Sequence, residues 1–464
     1  MLNFFAAGIV GAISMQVLAQ TPQSRISHKL TLAEAERILL ERNLTVTAAK
    51  YQIESVRAAK LIASFKPNPV LTLGAEQLTL SGAFWNNLIH TDPNVAAQST
   101  YTIRLDKVIE RGGKRELRTE QADFQLKANE ALMLDAIRTQ IFQLRQAFTA
   151  ATLARENLLL AEATEQQYQQ TEKLTEAKVE NGSLPGFEIY RARAGRLQYQ
   201  QTVLQARTAY ELAARDILNL LSARSEDVEP AETSNAQKLT GDARIVLVGN
   251  TPERDEGQQI SASLKNTPIE IVGTFDDRPI IQNLDELRTT ALRERPDVIA
   301  AKYIYESAER SVSLAQAQRV RDLSVGTFYQ RVGGDNALGV NVSVPLLIYN
   351  NGRAGISQAE AQRKASESIM RQAELQATTD VDKAYQAYIS ARRTLDLYGS
   401  QNLVQVEKLR NIAALSYKEG ASSLFELLDA QRTYNQAISS YNQARADYQN
   451  SIWQLEASIG RTLR

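Results

Sequence analysis

From Leu338 to Leu346 the chain reads Leu-Gly-Val-Asn-Val-Ser-Val-Pro-Leu, apolar at every second position and small or polar between. A period of two marks a strand with one face in an apolar medium and the other in a polar one. Tyr101, Ile103 and Leu105 alternate with Thr102, Arg104 and Asp106 in the same way. Leu323, Val325 and Tyr329 share one side of a third strand, and Leu71 and Leu73 one side of a fourth. The pattern predicts strands over about 69–80, 98–109, 322–333 and 337–348. Alternation alone suits a half-buried soluble hairpin as well as a membrane barrel.

Around these strands the period changes to that of helices. A first helix is expected over roughly 31–65 and another over 285–320. Pro67 and Pro69 end the first, because proline disfavours helical geometry in the residue before it. Gly112-Gly113 and Asn350-Asn351-Gly352 turn the chain out of the sheet and into the next helix. Between Gly113 and Gly182 stand 68 residues without proline or glycine. As one helix they would run on the order of 100 Å. The span Gly352 to Gly420 is comparable, interrupted only by Gly355 and Gly399. Return helices are expected over about 186–222 and 422–460. Small apolar positions such as Ala128, Ala131, Ile137 and Ala147 permit close helix packing, while Gln, Arg and Glu between them suit a wetted face. Helices this long need partners to be stable.

The same order of elements occurs twice. Gly182, Phe187 and Glu188 match Gly420, Phe425 and Glu426 at a spacing of 238, Gly113 matches Gly352 at 239, and residues 48–55 match 300–307 at 252. The falling spacing means about 13 extra residues in the first copy, and 81–97 is where they fit. The chain is a duplicated unit. We divide it into a leader (1–19), a first repeat (20–222), an inter-repeat equatorial region (223–284) and a second repeat (285–464). The inter-repeat region is punctuated by Pro230, Pro252, Pro268 and Pro279 and holds two strand-like runs, Arg244–Val248 and Ile269–Phe275. It reads as a small accessory region around the helices.

Composition narrows the function. Residues 1–19 read as a secretory signal, apolar from Leu2 and closing on Val17-Leu18-Ala19, although no Lys or Arg precedes the apolar stretch. The charge is balanced, 53 basic against 53 acidic residues, which argues against nucleic acid held by bulk charge. There is no cysteine, and the two histidines, His28 and His90, stand far apart, so no metal site and no cofactor is expected. No nucleophile or phosphate-binding motif points to an enzyme. Beyond the leader no apolar run reaches transmembrane-helix length. An exported chain of this kind is either soluble or inserted as strands. Four strands cannot close a membrane barrel, so several chains would have to share one.

The segments KPNPVLTLGAEQ (66–77), RERPDVIAAKYIYESAE (293–309), VPLLIYNNGRAGISQAEAQ (344–362) and YKEGASSLFELLDAQRTYNQA (417–437) resemble those of the TolC-type outer-membrane efflux protein family, in its heavy-metal efflux, CzcC-like branch. The resemblance implies a mainly α fold with membrane β: long helical hairpins forming a periplasmic α-barrel, and four transmembrane strands per protomer in a shared 12-stranded barrel of a homotrimer. It implies an outer-membrane exit duct for drugs or metal cations, docked to a periplasmic adaptor protein and an inner-membrane pump, most naturally of the RND type. The hairpin turns, Gly182-Ser183-Leu184 and Gly420-Ala421-Ser422, would form the periplasmic tip where the adaptor docks. By motif position Glu188, Glu426 and Asp429 resemble the acidic residues lining the tunnel near its closed end, and Tyr417 a residue that closes it. Ser422 stands where some members carry a gating arginine. Two other readings remain open: the exit duct of a type I protein-secretion system, and a periplasmic adaptor.

Overall fold

The computed structural model describes residues 25–76, 100–229 and 268–463, apart from 277, 281, 333, 334, 347 and 350. The leader 1–19, the segment 81–97, His90 and the run Arg244–Val248 lie outside the described residues. The first repeat runs β1 (Lys29–Thr31), α1 (Leu32–Arg42), α2 (Leu44–Ser64), β2 (Val70–Glu76), β3 (Thr100–Ile109), α3 (Lys114–Glu180) and α4 (Phe187–Leu220). After β4 (Glu270–Val272), the second repeat runs α5 (Leu284–Glu294), α6 (Pro296–Ala317), β5 (Leu323–Val332), β6 (Asp335–Ser343), α7 (Arg353–Leu397), α8 (Ser400–Glu419) and α9 (Leu424–Ile459).

The first helix of each repeat, expected to be continuous, is broken once, and at equivalent places. Asn43 separates α1 from α2 and caps α2, accepting from the Val46 amide at 3.1 Å. Arg295, 252 positions on, separates α5 from α6, with Pro296 opening α6. Asparagine at a cap and proline in the first turn are favoured helix starts. Each break also hooks its own return helix. The Asn43 side-chain amide donates to the Leu220 carbonyl at 2.8 Å, and the Arg295 guanidinium to that of Ser458 at 3.3 Å. Leu220 and Ser458 are themselves 238 apart. Arg295 is 4 % exposed and is balanced by Asp297 at 2.7 Å and Asp380 at 3.0 Å. A buried charge requires such partners.

The long helix of the first repeat is unbroken over 67 residues. In the second repeat α7 passes through Gly355, and the break falls at Gly399. Strand β6 stops at Ser343, short of the expected 348; Pro345 just beyond has no amide to add to a ladder.

The four long strands form one antiparallel sheet in the order β2-β3-β5-β6, so the two repeats meet at β3–β5, with Thr100 opposite Val332 and Ile109 opposite Leu323. The helices repeat that order. Near the sheet α3 packs against α2 and α6, and α6 against α7; toward the hairpin turns α3 packs against α4 and α9, and α9 against α8. Among the described residues the protomer is thus an array with two free edges: β2, α2 and α4 on one side, β6, α7 and α8 on the other.

Midway along the helices, β1 and β4 form a parallel pair packed on the main core of Leu144, Phe148, Leu158, Ile217 and Ile271. The Tyr210 hydroxyl accepts from the Ile271 amide at 3.0 Å, and its repeat equivalent Tyr448 donates to the Arg278 carbonyl at 2.9 Å. Both buried tyrosines therefore tie down the end of the inter-repeat segment.

Candidate channel-lining sites

Register divides the sheet into two chemically distinct faces. Directly paired residues share a face, so Leu71, Leu105, Thr327 and Val340 lie together, as do Leu73, Ile103, Tyr329 and Leu338. This face is apolar and open: Leu73 is 70 % exposed, Leu338 84 % and Val340 70 %. The opposite face carries Thr72, Thr102, Arg104, Asp106, Gln330 and Asn341. There Asp106 binds Arg104 at 2.7 Å and accepts from the Asn341 amide at 3.2 Å, reaching across β5. Gly326 makes the reach possible, because a Cβ at that position would lie 2.2 Å from the carboxylate. A contiguous exposed apolar face backed by a polar one is the signature of a strand set between lipid and water. No described helix is long and apolar enough to cross a membrane.

At the far end of the array the two hairpin turns are built alike. Gly182 and Gly420 both adopt left-handed backbone, with φ of 72° and 82°. The Ser183 amide returns to the Lys178 carbonyl at 2.8 Å and the Ala421 amide to that of Ser416 at 2.8 Å. These bonds satisfy the last carbonyls of α3 and α8. Leu184 packs against a small core of Ala192, Tyr417, Leu424 and Leu427 that joins the hairpins. The Ser422 hydroxyl is buried and without a partner.

The acidic residues singled out in the sequence all lie in this region, and each is engaged within its own helix. Glu188 pairs with Arg191 at 3.1 Å and Asp429 with Arg432 at 3.1 Å. Glu426 accepts from the Ser423 amide at 3.0 Å while the Ser423 hydroxyl accepts from the Glu426 amide at 3.3 Å, a reciprocal cap on α9. That cap was legible as Ser-x-x-Glu ahead of an apolar run. The paired arginines were not singled out, although their spacing of three on one helix face marks them.

Tyr417 is 1 % exposed. Its hydroxyl lies 2.7 Å from that of Thr175, and the Lys178 ammonium donates to its backbone carbonyl and sits 4.5 Å from its ring centroid. Burial pushes the Tyr417 hydroxyl above its ordinary pKa, and the nearby charge of Glu188 adds to this. Thr175 and Lys178 carry no local signal in the sequence, since both meet Tyr417 across about 240 positions (417 − 175 = 242; 417 − 178 = 239). Among the described residues no group of three or more His, Asp or Glu is placed to hold a metal.

The geometry has close parallels. In sequence the chain is 23 % identical over 435 residues to nodulation protein T of Rhizobium leguminosarum bv. trifolii, covering 91 % of this chain and 83 % of that protein. It is 22 % identical over 414 residues to the cobalt-zinc-cadmium resistance protein CzcC of Cupriavidus metallidurans, covering 88 % and 84 %. Its fold superposes on the outer-membrane channel OprN with a TM-score of 0.68 at 20 % identity, over 93 % of this chain and 90 % of that one. On the outer membrane protein VceC of Vibrio cholerae the TM-score is 0.67 at 16 % identity, over 93 % and 97 %. The profile of the outer membrane efflux protein family matches residues 37–223 and 287–461, both repeats nearly end to end. The chain therefore belongs to the outer membrane efflux protein family, as a non-enzymatic duct seated in the outer membrane with its helices in the periplasm.

Proposed function

We propose that three copies of this chain close into one passive exit duct for small solutes, drugs or metal cations, delivered by an adaptor and an inner-membrane pump of the RND type. The observation that carries the reading is the pair of free edges. Among the described residues strands β2 and β6 each have a neighbour on one side only, and unpaired strand edges are not tolerated in lipid. The edge helices are apolar outward: Tyr190, Leu197 and Leu204, seven apart on α4, are 71 %, 67 % and 64 % exposed, and Leu409, Ile412 and Leu415 line α8. Joining one edge to the other of the next copy is a heterologous contact, which closes as a ring. Three sets of four strands give twelve.

In that ring the first repeat (20–222) and the second (285–464) supply alternating hairpins, and β4, from the described part of the inter-repeat equatorial region, sits midway along them. Gly182, Ser183, Leu184, Gly420, Ala421 and Ser422 form the docking tip, and Glu188, Tyr417, Glu426 and Asp429 belong to the gate. Rings of like charge in a narrow pore favour cations. Here Arg191 and Arg432 offset two of the three rings, so the duct is only mildly cation-selective. The relatives carry names as different as nodulation protein T and a cobalt-zinc-cadmium resistance protein, so cargo choice is assigned to the pump.

Two measurements test the reading. The detergent-solubilised protein is expected to have a native mass of three chains and to carry ion current across a planar bilayer. A detergent-free soluble monomer would end the proposal. Replacing Glu426 and Asp429 together by Ala is expected to move the reversal potential toward anions, and an unmoved potential removes both from the pore lining.

A further inference from the structure

We propose that Lys66 and Lys107, in a hollow at the periplasmic rim of the sheet, bind the headgroup of an anionic diacyl phospholipid in the facing membrane leaflet. The site lies where the strands meet the helices, and it depends neither on cargo nor on how copies close into a ring.

The charge of the chain is balanced as a whole but not at this level. Strands β2 and β5 start here and β3 and β6 end here, so segments 65–69, 107–118, 319–323 and 351–353 form one belt at the base of the sheet. Gly112 lies against Val320 and Gly352 against Arg319, which keeps these stretches together. They hold nine basic residues against three acidic ones. All three acids are occupied: Glu110 by Arg118 at 2.9 Å, Glu116 by Arg115 at 3.3 Å, and Asp322 by Lys114 at 2.8 Å. Lys66, Lys107, Arg319, Arg321 and Arg353 are exposed and form no ion pair among the described residues. The belt is therefore cationic, and it adjoins the face of the sheet set in lipid.

Lys107 stands on that outward face, two positions below Leu105 and directly opposite Val325, which pairs in turn with Val342. There the described strands carry charge at two places only, Lys107 and, at the far end, Arg331 opposite Tyr101. Six residues of β3 separate the two (107 − 101 = 6), about 20 Å, so Lys107 marks the level where hydrocarbon gives way to periplasmic headgroups. A lysine at that level lays its stem along the apolar wall and sends its ammonium to the headgroups. Lys66 shares with it a hollow of about 370 Å³ walled by Pro67, Val108 and Ile109. Two ammonium groups without an internal partner suit one phosphate diester. Ile109, Leu105 and Ile103 continue upward from the hollow on the same face, an apolar track for acyl chains. A soluble anion would use the charges and leave the track bare.

The test titrates the full-length, detergent-solubilised protein with dioleoylphosphatidylglycerol and, separately, with dioleoylphosphatidylcholine, counting bound lipid by native mass spectrometry. The anionic lipid is expected to be retained in preference. Lys66→Gln combined with Lys107→Gln should weaken its binding roughly 25-fold, at about fivefold per cation lost, and leave phosphatidylcholine as it was. Lys66→Arg with Lys107→Arg keeps both charges and is expected to bind as wild type does. So is Lys408→Gln with Lys418→Gln, which removes two exposed lysines of α8, far from the sheet. Equal retention of the two lipids by wild type would overturn the proposal, as would undiminished phosphatidylglycerol binding when Lys66 and Lys107 are both replaced by Gln. Displacement of the lipid by an equal concentration of inorganic phosphate would assign the hollow to a free anion and overturn it as well.

Discussion

The two hairpins descend from one duplicated unit, yet they are held together differently. In the first, α3 is continuous for 67 residues and a ladder of ion pairs crosses to α4: Arg193 to Glu172 and Glu176, Arg196 to Glu165 and Glu172, and Arg207 to Glu162. Tyr168 stacks on Tyr199 with centroids 4.4 Å apart beneath Gly195, whose missing side chain admits the ring. In the second, the descending helix is split at Gly399, and the ion pairs of its lower half, Arg410–Glu407 and Arg432–Asp429, stay within single helices. The contacts that cross are uncharged pairs or a cation on a ring: Tyr417 packs with Leu424 and Leu427, and Arg410 lies over Tyr434 at 4.0 Å. Ion pairs brace the first hairpin internally, while the second is tied to it by neutral bonds, Gln431 to Gln167 at 2.6 Å and Thr164 to Asn435 at 3.1 Å. Duplication supplied equal parts, and divergence in a few side chains gave them different cross-links.

The comparison is broken most severely at the glycine beneath Tyr168. A Cβ at position 195 would meet the Tyr168 ring at 2.8 Å, so Gly195→Val is expected to cost about 1–3 kcal/mol, read as a lower denaturation midpoint. The same change at Gly355, where nothing lies within 4 Å, is expected to be close to neutral. Equal losses at the two sites would mean that the first hairpin is not the tighter one. Removing the cap of α9 by Ser423→Ala is the next effect in size, about 1 kcal/mol, with fraying confined to the first turn of α9 in hydrogen exchange. Loss spread over both hairpins would show the second to be as cooperative as the first.

Acid gives the smallest effect. The hydrogen bond from Arg196, aided by Arg193, holds the Glu172 carboxyl below its ordinary 4.5. A carboxyl lowered in the folded state contributes stability above its unfolded pKa and loses it as pH falls through the folded one. Protection factors in the lower part of α3, which correct for the intrinsic pH dependence of amide exchange, should therefore fall modestly as pH drops below 4.5, and less so in high salt, because these pairs face water. A pH-independent protection factor would leave the ladder without a role in the difference.

Much of this architecture was legible in the sequence because it is written in local chemistry and in periodicity. Alternation placed all four strands, the absence of proline and glycine from 114–181 placed the longest helix, and the glycines at 113, 182, 352 and 420 placed the turns. The breaks at Asn43 and Arg295 were passed over even though a cap residue and an Arg-Pro step stand there, since the apolar pattern continues across them. The proposed gate was legible only in part. Glu188, Tyr417, Glu426 and Asp429 were singled out by their place in the motif, whereas Thr175 and Lys178 meet Tyr417 across some 240 positions, which no window on the sequence contains.

A closed ring of hairpin tips requires that the open edges of the sheet meet across copies. The chain has no cysteine, so introduced pairs report cleanly. Cysteines at Leu71 or Leu73 on β2, combined in turn with Leu338, Val340 or Val342 on β6, all lie on the outward apolar face and at opposite edges of the protomer. On mild oxidation in outer membranes, at least one pairing should convert the monomer band on a denaturing gel into covalent dimers and closed trimers. Monomer alone in every pairing would contradict the shared barrel.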